Sequence, residues 1–268
     1  MSTCILINTT TKYLSIVNVQ LTCIRRYAPI LLQYPIFVAS DADSKFHLFD
    51  FPVDVVKIPL LPEESGFIES RIAAIQYIQD GDPMLQNILM LQDDFWIDRS
   101  IREEEWRAAL MYMEDPKVKS VRLMPCPGPN ANVSVKYEPF AEITEADTYR
   151  FTFQATVWKA PEIVKFLQAV LESAIDEFGR LHLAKTQWNI FCVRYNVAEN
   201  TMGQDIFKRV SMNDGSIHLA IPRRGGHPAA VNLATVPYRP TAVVKGRLES
   251  WAKEFAIREG FSHLEGWY

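Results

Sequence analysis

Glycine is missing where a phosphate-binding loop would need it. The turn after the first predicted strand reads Asn8-Thr-Thr-Thr-Lys12. No glycine there lets backbone amides close around a phosphate, which disfavours a glycine-rich nucleotide loop. Cysteine is sparse as well. Cys4, Cys23, Cys126 and Cys192 are scattered and form no Cys-x-x-Cys pair. That argues against a structural zinc site or a disulfide framework and fits a reducing, cytoplasmic setting. No run approaches the ~20 apolar residues that cross a bilayer. The start, Met1-Ser-Thr-Cys-Ile5, lacks the basic and apolar regions of a signal peptide. Internal repeats and low-complexity segments are also absent. The net charge of −4 argues against a general nucleic-acid coat.

What is present is an ordinary globular composition, 48% hydrophobic and 22% charged over 268 residues. Charge is unevenly spread. Residues 63–115 hold thirteen acids and four bases, whereas residues 206–258 hold nine bases and three acids. Two solvated faces of opposite sign would explain this. So would a metal-binding edge facing a phosphate-binding tail.

The first 125 residues alternate strands and helices. Strands are predicted at Cys4–Asn8, 35–39, 53–58 and 87–91, with helices over 12–30, 67–79 and 102–114. Such alternation indicates βαβ units and a mainly parallel sheet. A strand at 118–124 and a proline-rich irregular stretch at 125–130 follow. The pattern then changes. A half-buried strand is predicted at 149–158, helices at 161–178 and 184–196, a short strand at 216–221, a basic loop at 222–227 and a last helix at 247–258. No linker divides the chain, so one domain is expected, with an unlike second half beginning near residue 126.

One stretch says more than the rest. Ile88-Leu-Met-Leu91 reads as a buried strand, and Gln92-Asp93-Asp94 follows where it ends. In an open α/β sheet ligands bind at the carboxyl ends of the strands. Adjacent carboxylates there repel unless protons or a cation neutralise them. A hard divalent ion such as Mg²⁺ or Mn²⁺ suits oxygen ligands and keeps positions open for phosphates. An Asp-rich turn is the plainer alternative.

A βαβαβ half closing on apolar strand–Asp-Asp resembles the nucleotide-sugar half of GT-A glycosyltransferases. Ser70-Arg71, Arg122-Leu123, Phe151–Trp158 and Val244–Leu248 are similar to segments of small bacterial and viral members. The resemblance implies a Rossmann-like, mainly parallel sheet flanked by helices with a mixed α/β second half. It implies a metal-dependent transferase of the hexosyltransferase class, moving sugar from a nucleoside-diphosphate sugar, with UDP the first choice, to a glycan or small-molecule hydroxyl. The chain departs from the family's commoner acidic motifs in having Gln92 at the first position.

Residue by residue, the resemblance makes Asp94 the direct metal ligand and Asp93 a contact to ribose, donor sugar or metal-bound water. Asn8, Thr9, Thr10 and Thr11 would line the nucleotide pocket, and Asp41 or Asp43 would meet base or ribose. Negative charge grows on the leaving diphosphate, so cations are needed; Arg71, Arg223, Arg224, Lys245 and Arg247 are available. Gly225-Gly226 would let the basic loop fold over phosphates. His227 is the candidate third metal ligand, and Asp176 or Glu177 the base for an inverting reaction. Plainer readings remain for each: turn caps for Asp41 and Asp43, a solvated loop for the arginines and His227, a soluble helix end for Asp176 and Glu177. Trp96 and Trp158 are the aromatics expected near the site, the others being core. Three further readings stay open. A phage-type transferase would act on hydroxymethylated DNA bases through the basic segment. A nucleotidyltransferase would need the missing glycine loop. A binding module would keep the pocket without turnover.

Overall fold

The computed structural model describes all residues except 1, 65, 126–127, 130–131, 174–198, 200, 213–214, 223–232, 240, 245, 262–263 and 265–268. The apolar runs become central strands covered on both faces, as unbroken hydrophobic sequence requires. β1 (Ser2–Asn8) pairs in parallel with β4 (Leu85–Gln92), and Asn8 lies opposite Gln92. Successive side chains point to opposite faces. Ile5, Ile7, Leu89 and Leu91 therefore enter one core layer with α1 (Leu14–Tyr27), α4 (Glu103–Tyr112) and α7 (Ser250–Glu259). Cys4, Leu6, Ile88 and Met90 enter the other, with α3 (Glu69–Gly81), α5 (Ala160–Ser173) and α6 (Thr201–Ser211). A short α2 (Ser44–Leu48) contributes Phe46 to the first layer.

The other strands of the sheet are β2 (Ile36–Asp41), β3 (Val56–Leu60), β5 (Val118–Arg122), β6 (Ala141–Glu142), β7 (Thr156–Lys159) and β8 (Ile217–Ala220). Their order is β3-β2-β1-β4-β7-β5-β8-β6. β1 to β5 and β8 run one way, while β7 and β6 run against them. This is the α/β sheet flanked by helices expected from the sequence, parallel in its first half and mixed in its second. The carboxyl ends of β1, β2, β4, β5 and β8 and the start of β7 share one edge. A two-stranded hairpin, β9 (Val243–Val244) with β10 (Arg247–Leu248), stands outside the sheet.

Two expectations need correction. The strand predicted at 149–158 contracts to β7, because side chains claim the backbone groups of residues 149–155. Arg122 donates to the carbonyls of Tyr149 and Arg150 at 3.1 and 2.8 Å. Gln204 accepts from the Phe151 amide and donates to its carbonyl. Glu199 accepts from the Phe153 amide, and the Tyr238 hydroxyl from that of Ala155. A backbone satisfied this way has no ladder to join. Trp96 is also not at the site. It is fully buried, packed against Trp251 and Phe255. Trp158, in the opposite layer, packs among Phe151 and Phe207 and lines, with Arg71, Gln92 and Gln154, a small cavity behind the sheet edge. The helix predicted at 184–196 lies outside the described residues, and α6 carries no counterpart in the predicted elements.

Candidate active site

The sheet edge gathers the polar residues that follow three parallel strands. At the end of β1, Asn8 donates its amide to the Ser70 carbonyl at 3.2 Å, tying the strand to α3. Thr9 then turns its hydroxyl to Asp93 Oδ2 at 2.9 Å. At the end of β2, Asp41 accepts from the Thr11 amide at 2.8 Å and from its hydroxyl at 2.6 Å. Ser40 adds a third donor to Asp41. These bonds hold the Asp41 carboxyl below its usual range, against the opposing effect of burial. Asp41 therefore braces the 9–13 turn. Asp43 takes the plainer of its readings and caps α2 by accepting from the Lys45 amide.

At the end of β4, the α1 residue Gln20 donates to the Gln92 carbonyl at 2.7 Å, and the Phe95 amide closes a turn onto the same carbonyl. Asp93 and Asp94 are thereby fixed at the edge. Burial pushes the Asp93 carboxyl up to about 7, and the charge of Asp94 adds to the rise. The Thr9 hydrogen bond and the Arg71 charge oppose it. Burial pushes Asp94 up to about 6, against backbone donors from Val243 and Ala242. The Val243 amide approaches Asp94 Oδ2 at 3.4 Å. Two carboxylates that bind protons this readily are a pair in want of positive charge.

Arg71 lies beneath this pair rather than out in solvent. It is 5% exposed, donates to the Phe67 carbonyl and stacks on the Phe67 ring at 3.6 Å. With Gln92, Gln154 and Phe153 it lines a small cavity behind the edge. Lys12 stands on the outer rim. Gly246 turns the 243–248 hairpin at φ +77°, a conformation that suits glycine. A methyl group there would sit 3.4 Å from Lys12 Nζ. Asp93 and Asp94 also raise the Tyr13 phenol, after its own burial.

The structure thus brings together Asn8, Thr9, Thr10, Asp41, Arg71, Asp93 and Asp94. Asp176, Glu177, Arg223, Arg224, His227 and Lys245 lie outside the described residues. Among the described residues no group of three or more His, Cys, Asp or Glu side chains converges to hold a metal. Sequence reasoning missed three participants. Lys12 and Tyr13 directly follow the threonine run, a signal that was readable. Gln154 accepts from the Tyr238 hydroxyl at 2.7 Å, and Tyr238 stacks on Phe95 beside the acid pair. Only the fold discloses that link.

No family model and no curated protein sequence matches the chain. Among solved structures it is similar to S. aureus TarS, at 10% identity and TM-score 0.39, over 87% of this chain and 63% of that one. It is also similar to mouse xyloside xylosyltransferase 1, at 13% identity and TM-score 0.39, over 81% and 84% of the two chains. An active-site mutant of LgtC matches at 11% identity and TM-score 0.48, over 98% and 99%. The chain spans less than two thirds of the TarS chain.

Proposed function

We propose that this chain is a glycosyltransferase moving a sugar from a nucleoside-diphosphate sugar, a UDP-sugar first, to a hydroxyl of a glycan or small-molecule acceptor. The observation that supports it most is the pair of half-buried Asp93 and buried Asp94 at the carboxyl end of β4, beside the threonine turn of β1. Anionic oxygens alone, in a setting that raises both proton affinities, suit Mn²⁺ or Mg²⁺. Asp94 and Asp93 would hold the ion, with His227 as a third ligand. When bound, the cation would stabilise charge on the leaving diphosphate.

The chain's own groups do the rest. Thr9 keeps Asp93 turned into the site, and the Val243 amide keeps Asp94 turned the same way. Asp41 locks the turn that would receive the nucleoside. Lys12, Arg223, Arg224 and Lys245 supply cationic contacts to the diphosphate. Asp176 or Glu177 takes the acceptor proton if configuration is inverted. Calorimetry with UDP, with and without Mn²⁺, tests the reading. Micromolar binding that needs both the metal and Asp94 supports it. Silence towards UDP, GDP, CDP and dTDP would return Asp93 and Asp94 to the status of a turn.

A further inference from the structure

At the opposite edge of the sheet lies a second opening, a cleft of about 450 Å³, within the usual size range of small-molecule sites. Ser2 and Thr3 at the start of β1 line it, as do Gln33, Tyr34 and Pro35 ahead of β2. Asp82, Leu85 and Asn87 around the start of β4 complete it with Leu110 of α4 and Glu114 in the turn just beyond that helix. Asn87 is 2% exposed, and its Oδ1 has no hydrogen-bond partner among the described residues. A buried amide oxygen left so is costly unless something outside the protein satisfies it. The Tyr34 ring is held edge-on to Trp106 at 5.6 Å, which fixes one wall.

The chemistry of the lining selects among ligands. Asp82 and Glu114 are the charged groups among its lining residues. Lys159, a described base within reach of the Glu114 charge, spends its ammonium on the Met113 carbonyl. The lining therefore disfavours a phosphate or any other anion. A bare divalent ion is disfavoured too, since no three acidic, His or Cys side chains converge among the described residues. Carboxylate, amide and hydroxyl groups beside an aromatic ring and the aliphatic Leu85, Leu110 and Pro35 match a molecule with alternating hydroxyl and C–H surfaces. We infer that this cleft binds a neutral saccharide unit, with the carboxylates and Asn87 Oδ1 accepting from its hydroxyls. β1 separates it from the acid pair by roughly 20 Å, at about 3.3 Å per residue. It is a site apart from the donor edge and stands whether or not the proposed transfer reaction holds.

Saturation-transfer NMR on the whole chain tests this with glucose, galactose, N-acetylglucosamine, lactose, cellobiose and chitobiose as probes. At least one should receive saturation in the wild type and equally in Asp94→Asn. Glu114→Gln, which keeps the size of this exposed side chain and adds no charge beside Lys159, and Glu114→Lys should both weaken that binding, the latter at least about tenfold, as loss of a hydrogen bond to a charged group does. Asp82→Asn, which still accepts from the Met84 amide, should weaken it less. No transfer from any probe would overturn the inference. So would a signal that survives Glu114→Lys, or one that disappears in Asp94→Asn. Spermidine binding abolished by Glu114→Lys, without any sugar signal, would make the cleft a polyamine site instead and refute the saccharide assignment.

Discussion

Replacing Asp94 with Asn should make the metal-free protein more stable while removing its proposed donor binding. Asp94 is 9% exposed and its carboxyl rises from 3.8 to about 6 on folding. A raised acid costs nothing below its unfolded value. Its cost grows as pH rises from the unfolded value to the folded one and is complete above the latter. About two units correspond to roughly 3 kcal/mol at pH 8. Neutralising Asp94 also relieves Asp93, whose rise to about 7 owes part of its size to that neighbour. The Asn amide hydrogens need new partners, which takes back some of the gain. A net stabilisation of about 2 kcal/mol is expected, equivalent to roughly 4–8 °C in Tm for a chain of this size. The assay is urea and thermal denaturation in EDTA at pH 8 and again at pH 4.5. At pH 4.5 the cost of Asp94 falls to about 1 kcal/mol, close to what the amide takes back, so the advantage should nearly vanish. A variant less stable than wild type at pH 8, or one equally shifted at both pH values, would refute the electrostatic account of the site.

Thr9→Val deletes the hydroxyl that meets Asp93, and metal-dependent UDP affinity measured by calorimetry should fall about tenfold with little change in fold. His218 is buried between the Ser120 hydroxyl and the Ser211 carbonyl, and burial depresses it to about 4. Its neutral form therefore supports the fold fully above pH 6.5, and that support drains away as pH falls towards 4. A His218→Gln comparison by urea titration across this window should show wild type losing on the order of 3 kcal/mol more than the variant. Gly246→Ala meets a left-handed backbone and the neighbouring Lys12 ammonium; a destabilisation of about 1–2 kcal/mol is expected by chemical denaturation.

The first half of the fold was legible because β1, β2 and β4 each carry an apolar run and polar or turn residues separate them from the helices; β3, with Lys57 and Pro59, was found with shifted bounds. Ile88 to Leu91 could scarcely be anything but a buried strand, and its end placed Asp93 and Asp94 correctly. Asp41 was expected to meet base or ribose; in the structure its oxygens accept from Thr11 and brace the turn. The second half misled because periodicity counts side chains and not hydrogen bonds. Residues 149–155 alternate like a strand, yet Arg122, Glu199, Gln204 and Tyr238 come from distant positions to take their backbone groups. Trp96 misled for a related reason. An aromatic two residues past the acid pair looks like a stacking platform, but the chain turns there and drives the indole into the core.

The reversed strand β7 also has a consequence for the order in which the molecule is made. β3, β2, β1 and β4 come from the first third of the chain, and all of them leave the ribosome before β7. Until Thr156 to Lys159 arrive, β4 presents Ile88, Leu89 and Met90 along an unpaired edge. A bare apolar edge of that kind invites pairing with another nascent chain. The segment that later borders the acid pair is thus attached to the same strand that seals this edge, so a complete acid-pair edge and protection from aggregation arrive in a single late step.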